Sequence, residues 1–263
     1  MAPRNPGPAF FHFRAVWRFM AVFALAAGLA GCASVSPKTD PVMDKKARRM
    51  AEQARDVNSE ITTGKGTGQM TLTTPNRQER FKMAWAAGAP NRLRLTLLMS
   101  GHPVETIAAT GEWVTFISHT GRHKPHSAVS ADPDLEPYID IPIRLSEMVA
   151  LLLGKVPVRP FDRAWISPDD PDTILTAKSF SGTLQAIRFT PQGRVDRYRL
   201  LDTDRTLIYG VDYTAFRETN EHTIPTAITI ADSHGRTLDI TLSVVLPNAE
   251  VKESVFRLTG SGS

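Results

Sequence analysis

Two short stretches, Phe81-Lys82-Met83-Ala84-Trp85 and Arg92-Leu93-Arg94-Leu95-Thr96-Leu97, alternate apolar and polar side chains with a period of two. This alternation is typical of a β-strand that has one face in a core and the other in water. The turn residues Gly88-Ala89-Pro90-Asn91 separate the two stretches, as expected between antiparallel neighbours. The pair therefore predicts the centre of an antiparallel sheet.

The same alternation recurs on both sides of this pair. It is found around Met70 and Leu72 and in Val104–Ala109, Trp113–Ser118, Ile174–Lys178, Leu184–Phe189, Val195–Leu201, Leu207–Tyr213, Ala227–Ala231 and Leu238–Leu246. Because turn residues separate most of these stretches, the pattern favours a meander of about eleven strands.

Two segments follow the helical period instead. Residues 41–58 begin with Asp40-Pro41, which resembles an N-cap followed by a proline at the first helical position. Their apolar side chains recur three and four residues apart, at Met43, Ala47, Met50, Ala54 and Val57. This pattern predicts an amphipathic helix. Residues Leu145–Leu153 are apolar nearly all round, so the short helix predicted there must be buried.

Together these patterns predict a mostly β, α+β domain over residues 40–260. We expect a single, strongly curved antiparallel sheet that forms an unclosed half-barrel. A sheet left partly open needs other elements to cover its concave side. The helix at 41–58 and the apolar helix at Leu145–Leu153 are the candidates for that cover.

The first 31 residues resemble a bacterial lipoprotein signal. Three arginines precede the apolar run Phe19–Leu29, which is too short to span a bilayer as a lasting helix, and Leu29-Ala30-Gly31-Cys32 resembles a lipobox. The resemblance implies cleavage after Gly31, a diacylglycerol and an N-acyl chain of the palmitate type on Cys32, and a tether over residues 32–39. The alternative is an ordinary secretory signal with a leftover cysteine.

The charge and the cysteine count exclude several classes of function. Residues 1–31 hold three of the 31 basic residues and none of the 27 acidic ones, so the remainder is almost neutral and nothing favours a nucleic-acid partner. Cys32 is the only cysteine, which leaves no disulfide and, once lipidated, no thiol chemistry. Ala33 is not the aspartate that resembles an inner-membrane retention signal, which favours the outer membrane.

Four early motifs resemble the first half of the LolB family: Phe81–Trp85, Arg92–Leu95, Ser100–Pro103 and Gly111–Val114. Later motifs resemble a LolB-related lipoprotein family of unknown function: Leu145–Gly154 with Val156-Pro157, and Ile224–Ile228 with Phe256–Leu258. The resemblance implies an unclosed barrel with a hydrophobic cavity. It also implies a periplasm-facing anchor in the outer membrane, acylated ligands or lipoprotein cargo, and a periplasmic carrier or envelope protein as partner.

Nine apolar residues are the predicted lining of this cavity: Met83, Trp85, Leu93, Leu95, Leu97, Trp113, Met148, Leu151 and Leu152. The same side chains would also make a plain β core, in which case the protein is a structural or assembly accessory that grips a protein partner. The family's exposed leucine corresponds to Ser100 here. Leu98 and Met99 are therefore the candidates for probing the membrane, or they simply end a strand in the core.

The polar motifs do not predict a catalytic or metal site. His119, His123 and His126 could supply nitrogen ligands, but Arg122 and Lys124 would repel a cation, so a solvated loop is the better interpretation. The acidic runs at 131–137 and 168–172 lie among prolines, as exposed turns do. An envelope hydrolase would require a Ser-His-Asp group assembled from distant loops. We predict no catalytic residue, no metal and no cofactor beyond the acyl chains on Cys32.

Overall fold

The computed structural model of the protein describes residues 41–122, 124–219 and 222–258. The predicted signal peptide over 1–31, the lipidated Cys32 and the tether over 32–39 lie outside the described residues, as does His123.

Thirteen antiparallel strands form one continuous sheet in the described residues. They are β1 (Thr63–Thr74), β2 (Arg77–Gly88), β3 (Arg92–Met99), β4 (His102–Thr110), β5 (Trp113–Ser118), β6 (His126–Val129), β7 (Arg163–Ile166), β8 (Thr173–Ala177), β9 (Leu184–Phe189), β10 (Val195–Leu201), β11 (Leu207–Thr219), β12 (His222–Asp232) and β13 (Thr237–Pro247). Across the sheet the order is β6-β5-β4-β3-β2-β1-β13-β12-β11-β10-β9-β8-β7. The edge strands β6 and β7 do not pair with each other, so the predicted mostly β, unclosed sheet is confirmed.

The strand count is higher than the predicted eleven, and the two additional strands are β6 and β7, the edges of the sheet. Each is only four residues long. Four residues are too few to show a convincing alternation, and edge strands are often short. The prediction therefore missed the strands with the weakest pattern.

The sheet consists of two meanders, β1 to β6 and β7 to β13. They join in the middle, where the first strand pairs with the last: Gly64 lies opposite Pro247 and Thr73 lies opposite Thr237. We call the sheet face that carries Leu93, Leu95 and Leu97 the inner face. The buried core lies on this side.

Three α-helices accompany the sheet in the described residues: α1 (Pro41–Asp56), α2 (Glu136–Ile139) and α3 (Leu145–Leu152), followed near the C-terminus by a 3-10 helix (Glu253–Phe256). The predicted helices correspond to α1 and α3, whereas α2 was not expected.

Helix α1 packs on β7 and β8, and its buried contact face consists of alanines. Ala47, Ala51 and Ala54 are fully buried, whereas Met43, which belonged to the predicted stripe, is about half exposed. Small side chains let the helix axis lie close to the strands, and the predicted residues Met50 and Val57 pack, partly buried, against the same core.

The residues between β6 and β7 connect one edge of the sheet to the other. Both α2 and α3 lie in this connection, and α3 contacts β2 and β3. The cover of the inner face therefore consists of α1 and of one continuous stretch, from residue 130 to residue 162, that is held at both edges of the sheet.

Within the described residues, no helix is both long enough and apolar enough to pass through a bilayer.

Candidate functional site

A cavity of about 560 Å³ lies between the sheet and α2. Its apolar lining comes mainly from six neighbouring strands, β13 and β1 to β5: Met70, Leu72, Phe81, Leu95, Leu97, Ile107, Phe116 and Leu238. Polar and charged side chains from β2, β4 and the loop after β5 complete the wall. The volume is typical of a pocket for a small ligand.

Strand pairing places the apolar side chains of the wall next to one another. Met70 lies opposite Phe81, and Ile107 lies between Leu95 and Phe116. Since alternate residues of each strand point to the same face, these pairs form a continuous apolar floor. Such a floor offers no hydrogen bonds and adapts to flexible hydrocarbon better than to a polar ligand.

Helix α2 forms the roof of the cavity through Pro137, Tyr138 and Ile139. The ring of Tyr138 stacks on the ring of Phe116, with their planes 3° from parallel. Burial raises the pKa of the Tyr138 phenol. The hydroxyl therefore stays protonated at neutral pH, as a neutral group beside the apolar floor.

Two arginines fasten this roof to the sheet. Arg236 donates to Glu136 at 2.7 Å and to Asp232 at 2.6 Å, and Arg77 donates to Asp140 at 2.6 Å. Burial raises the pKa of Asp232, but hydrogen bonds from Arg236 outweigh that effect, so the pKa lies below its usual range. The roof is thus held by ion pairs at both ends of α2.

The mouth of the cavity carries five charged side chains, of which three interact with one another. Glu79 receives a hydrogen bond from Arg122 at 2.9 Å and lies 3.9 Å from Arg77. Among the described residues, the other two, Glu105 and Lys124, have neither a hydrogen bond from their side chains nor an ion pair. The mouth therefore holds one unpaired carboxylate and one unpaired ammonium group.

The structure brings two of the nine predicted lining residues, Leu95 and Leu97, into the wall of this cavity. Six others lie instead in the packed core: Met83, Trp85, Leu93, Met148, Leu151 and Leu152. The last three belong to α3, which fills the inner face beside β2 and β3. The cavity lies beneath α2 rather than beneath the longer apolar helix.

Glycines explain why the α3 end of the inner face is filled. Gly66 lies opposite Trp85 in the β1–β2 pair, and a Cβ at Gly66 would come within 3.0 Å of the indole ring. A Cβ at Gly64 would come equally close to Leu153. These glycines let the indole and the end of α3 pack directly on the backbone, so no space remains there.

The ninth predicted residue, Trp113, lies outside the cavity and is 52% exposed. It begins β5, in which Val114 and Phe116 face the core, so alternation turns Trp113 to the opposite face. Met99 ends β3 at a two-residue hairpin and is 43% exposed, whereas Leu98 is half-buried. The hairpin residues Ser100 and Gly101 both have positive φ, as a type I′ turn requires.

A buried polar cluster was missing from the sequence prediction. Arg159 donates to Glu147 at 2.7 Å, and Gln185 accepts from the Arg159 backbone and from the hydroxyl of Tyr198. Burial raises the pKa of Tyr198 well above its usual range. The cluster ties α3 to β9 and β10. Glu147 was the available indication, because an acid inside an apolar helix needs a buried partner.

Of the two histidines of the histidine-rich loop that the structure describes, His126 lies in the cavity wall. His119 shares a 2.9 Å hydrogen bond with Thr106, which itself borders the cavity. In the part of the chain that the structure describes, no three histidine, cysteine or acidic side chains come together in a way that could hold a metal ion.

Several solved structures share this architecture. A LolA superfamily protein from Nitrosomonas europaea matches 81% of this chain and 97% of its own, with a TM-score of 0.53 and 9% identity. A domain assigned to an outer membrane lipoprotein-sorting protein of Vibrio parahaemolyticus matches 81% of this chain and 96% of its own, with a TM-score of 0.55 and 9% identity. This chain therefore shares its fold with these two proteins.

The same LolA-like fold is found in a DUF1329 family protein from Desulfovibrio piger, which matches 83% of this chain and 98% of its own with a TM-score of 0.52 and 10% identity. No protein-family model matches the sequence, and a comparison with curated proteins finds no significant relative. These likenesses establish the fold. The side chains of the cavity must therefore indicate the ligand.

Proposed function

We propose that this protein is a lipid-anchored, periplasm-facing protein of the bacterial outer membrane whose cavity binds or transfers acylated molecules. The observation that carries the proposal is the cavity beneath α2, which combines an apolar floor with a charged mouth. An acyl chain gains free energy on such a floor because it leaves water, and its polar end remains at the mouth.

Two further observations support the location and the role. Cys32 follows a signal-like segment and would carry the acyl chains of the anchor. One structural neighbour, the Vibrio domain, is assigned to outer membrane lipoprotein sorting. Reception of lipoproteins through the exposed hairpin at Met99 belongs to the same proposal.

Native mass spectrometry of the full-length protein, purified in a maltoside detergent, tests the proposal. We expect a lipid adduct that co-purifies or forms on addition of phospholipid. Leu97→Trp, which fills the floor, should reduce the adduct at least tenfold. Thr96→Trp adds the same side chain on the opposite face of β3 and serves as the matched control. The proposal would be refuted if the protein has the mass of its unliganded form and if added lipid or lipopeptide does not change that mass.

A second candidate function, an assembly accessory that binds a protein partner, is favoured by one surface. Trp113 and Val129 lie opposite each other in the β5–β6 pair, and both are exposed. Strand β6 is also an open edge, to which an extended segment could add. Site-specific photo-crosslinking from Val129 in intact cells tests this function. A discrete cross-linked product that is lost in the Trp113→Ser variant would support the accessory function. Absence of any cross-linked product from the unaltered protein would refute it.

A further inference from the structure

The size of the cavity limits how much hydrocarbon it can hold. A water molecule occupies about 30 Å³ in the liquid, and a methylene group is of similar size, so about 560 Å³ accommodates on the order of 18 carbon atoms. That is one long acyl chain. This size matches one chain more closely than the three chains of a lipidated N-terminal cysteine or the two of an ordinary phospholipid.

Two of the charged side chains at the mouth of the cavity have no partner among the described residues. Glu79 pairs with Arg77 and Arg122 at the rim, and Asp140 accepts a further hydrogen bond from Arg77, so the two acids and the two arginines balance. These groups hold the rim and the roof together, so they are not free to select a ligand. The unused pair consists of Glu105 and Lys124.

Glu105 lies beside the apolar floor rather than on the outer surface. It pairs with Leu97 in β3 and with Ser118 in β5, and it is partly buried. No group of the described protein donates a hydrogen bond to this carboxylate, so a ligand that supplies a donor gains a charge-assisted hydrogen bond there. An ammonium group offers several N–H donors and the opposite charge, which makes it the best complement.

Lys124 supplies the opposite charge on the loop between β5 and β6. Its exposed side chain reaches the mouth of the cavity, where an ammonium group complements a phosphate. One cavity mouth therefore presents a site for an anion and a site for a cation above a floor for one chain.

We propose that the cavity selects a single-chain zwitterionic phospholipid, whose acyl chain lies on the floor, whose phosphate binds Lys124 and whose ammonium group binds Glu105. This inference rests on the proposed function and names the ligand class of that site. A lysophosphatidylethanolamine has all three parts.

A competition measured by native mass spectrometry tests the inference on the full-length protein in a maltoside detergent. The probes are lysophosphatidylethanolamine, lysophosphatidylglycerol, two-chain phosphatidylethanolamine and a triacylated lipopeptide, all with palmitoyl chains. We expect the unaltered protein to prefer lysophosphatidylethanolamine over lysophosphatidylglycerol by about tenfold, as a charge-assisted hydrogen bond implies.

Two variants with matched controls separate the roles of the charges. Glu105→Gln should abolish the preference between the two lysolipids while both still bind. Lys124→Gln should weaken both lysolipids by about threefold and leave the preference intact, because an exposed ion pair contributes little. Glu112→Gln and Lys82→Gln remove charges elsewhere on the surface and should change neither measurement.

The outcomes distinguish this inference from the proposed function. If no probe binds at all, the proposed function fails together with the inference. If the lysolipids bind equally well, or if Glu105→Gln keeps the preference, only the headgroup assignment is overturned. Stronger binding of two-chain phosphatidylethanolamine or of the lipopeptide would overturn the assignment to a single chain.

Discussion

The buried ion pair between Arg159 and Glu147 allows a quantitative prediction. The carboxylate of Glu147 is 7% exposed, and it also accepts a 2.9 Å hydrogen bond from the backbone amide of Arg144. Replacing Arg159 with methionine keeps much of the packing volume but leaves this buried carboxylate without its counter-ion. Breaking a buried pair from one side costs about 3 to 5 kcal/mol.

We expect the lower end of this range, because the guanidinium of Arg159 is 28% exposed and the pair is not wholly desolvated. In a domain of this size, each kcal/mol lowers the melting temperature by about 2 to 4 °C, so Arg159→Met should lower it by about 6 to 12 °C. Tryptophan fluorescence during thermal unfolding of the full-length protein in maltoside measures the change.

The double variant Glu147→Leu with Arg159→Met should recover most of the loss, because both charges then leave the interior. Arg188→Met is the control. It breaks a hydrogen-bonded pair with Asp196, whose carboxylate is 24% exposed rather than 7%, so the orphaned carboxylate can be solvated and the change should cost less than about 1 kcal/mol. Equal melting temperatures for the Arg159 variant and this control, or an additive loss in the double variant, would refute the reasoning.

Three further predictions concern the ion pair that holds α2, the stability of the protein at low pH and the membrane anchor at Cys32. Arg236→Gln removes the charge-assisted bond to Glu136 that holds α2, together with the bond to Asp232 that orients the arginine, so bound lipid should leave about tenfold faster in a stopped-flow exchange assay. The lowered pKa of Asp232 means that its contribution to stability is complete above its unfolded pKa and is lost as pH falls through the folded value. Melting temperatures should therefore drop below about pH 4, and less steeply in Asp232→Asn. Cys32→Ser should move the protein from the membrane fraction to the soluble fraction, as immunoblotting would detect; unchanged membrane association would contradict the anchor.

Long alternating segments made most of the fold predictable. The strands around Trp85 and Leu95 are long enough for period two to be unmistakable, and they lie where the pattern predicts. The edge strands β6 and β7 and the helix α2 have four residues each, too few for either period to be visible. Predictability therefore follows the length of an element.

The location of the cavity was not predictable, for a different physical reason. Alternation shows which face of a strand is buried, but it does not show what covers that face at each end. Trp85 and Leu97 have the same pattern in the sequence, yet one packs under α3 and the other faces open space. The difference depends on the path of the connection between β6 and β7, and on the glycines Gly64 and Gly66.

The pairing of the first strand with the last has a consequence for folding kinetics. The segments 63–74 and 237–247 must meet across nearly the whole domain, which makes a non-local contact and a slow step in forming the native state. Until β13 is available, β1 and β12 each present an unpaired edge in what will become the middle of the sheet. A chain truncated before residue 237 would therefore expose the unpaired backbone edges of β1 and β12. We expect such a chain to aggregate rather than to form a smaller stable domain.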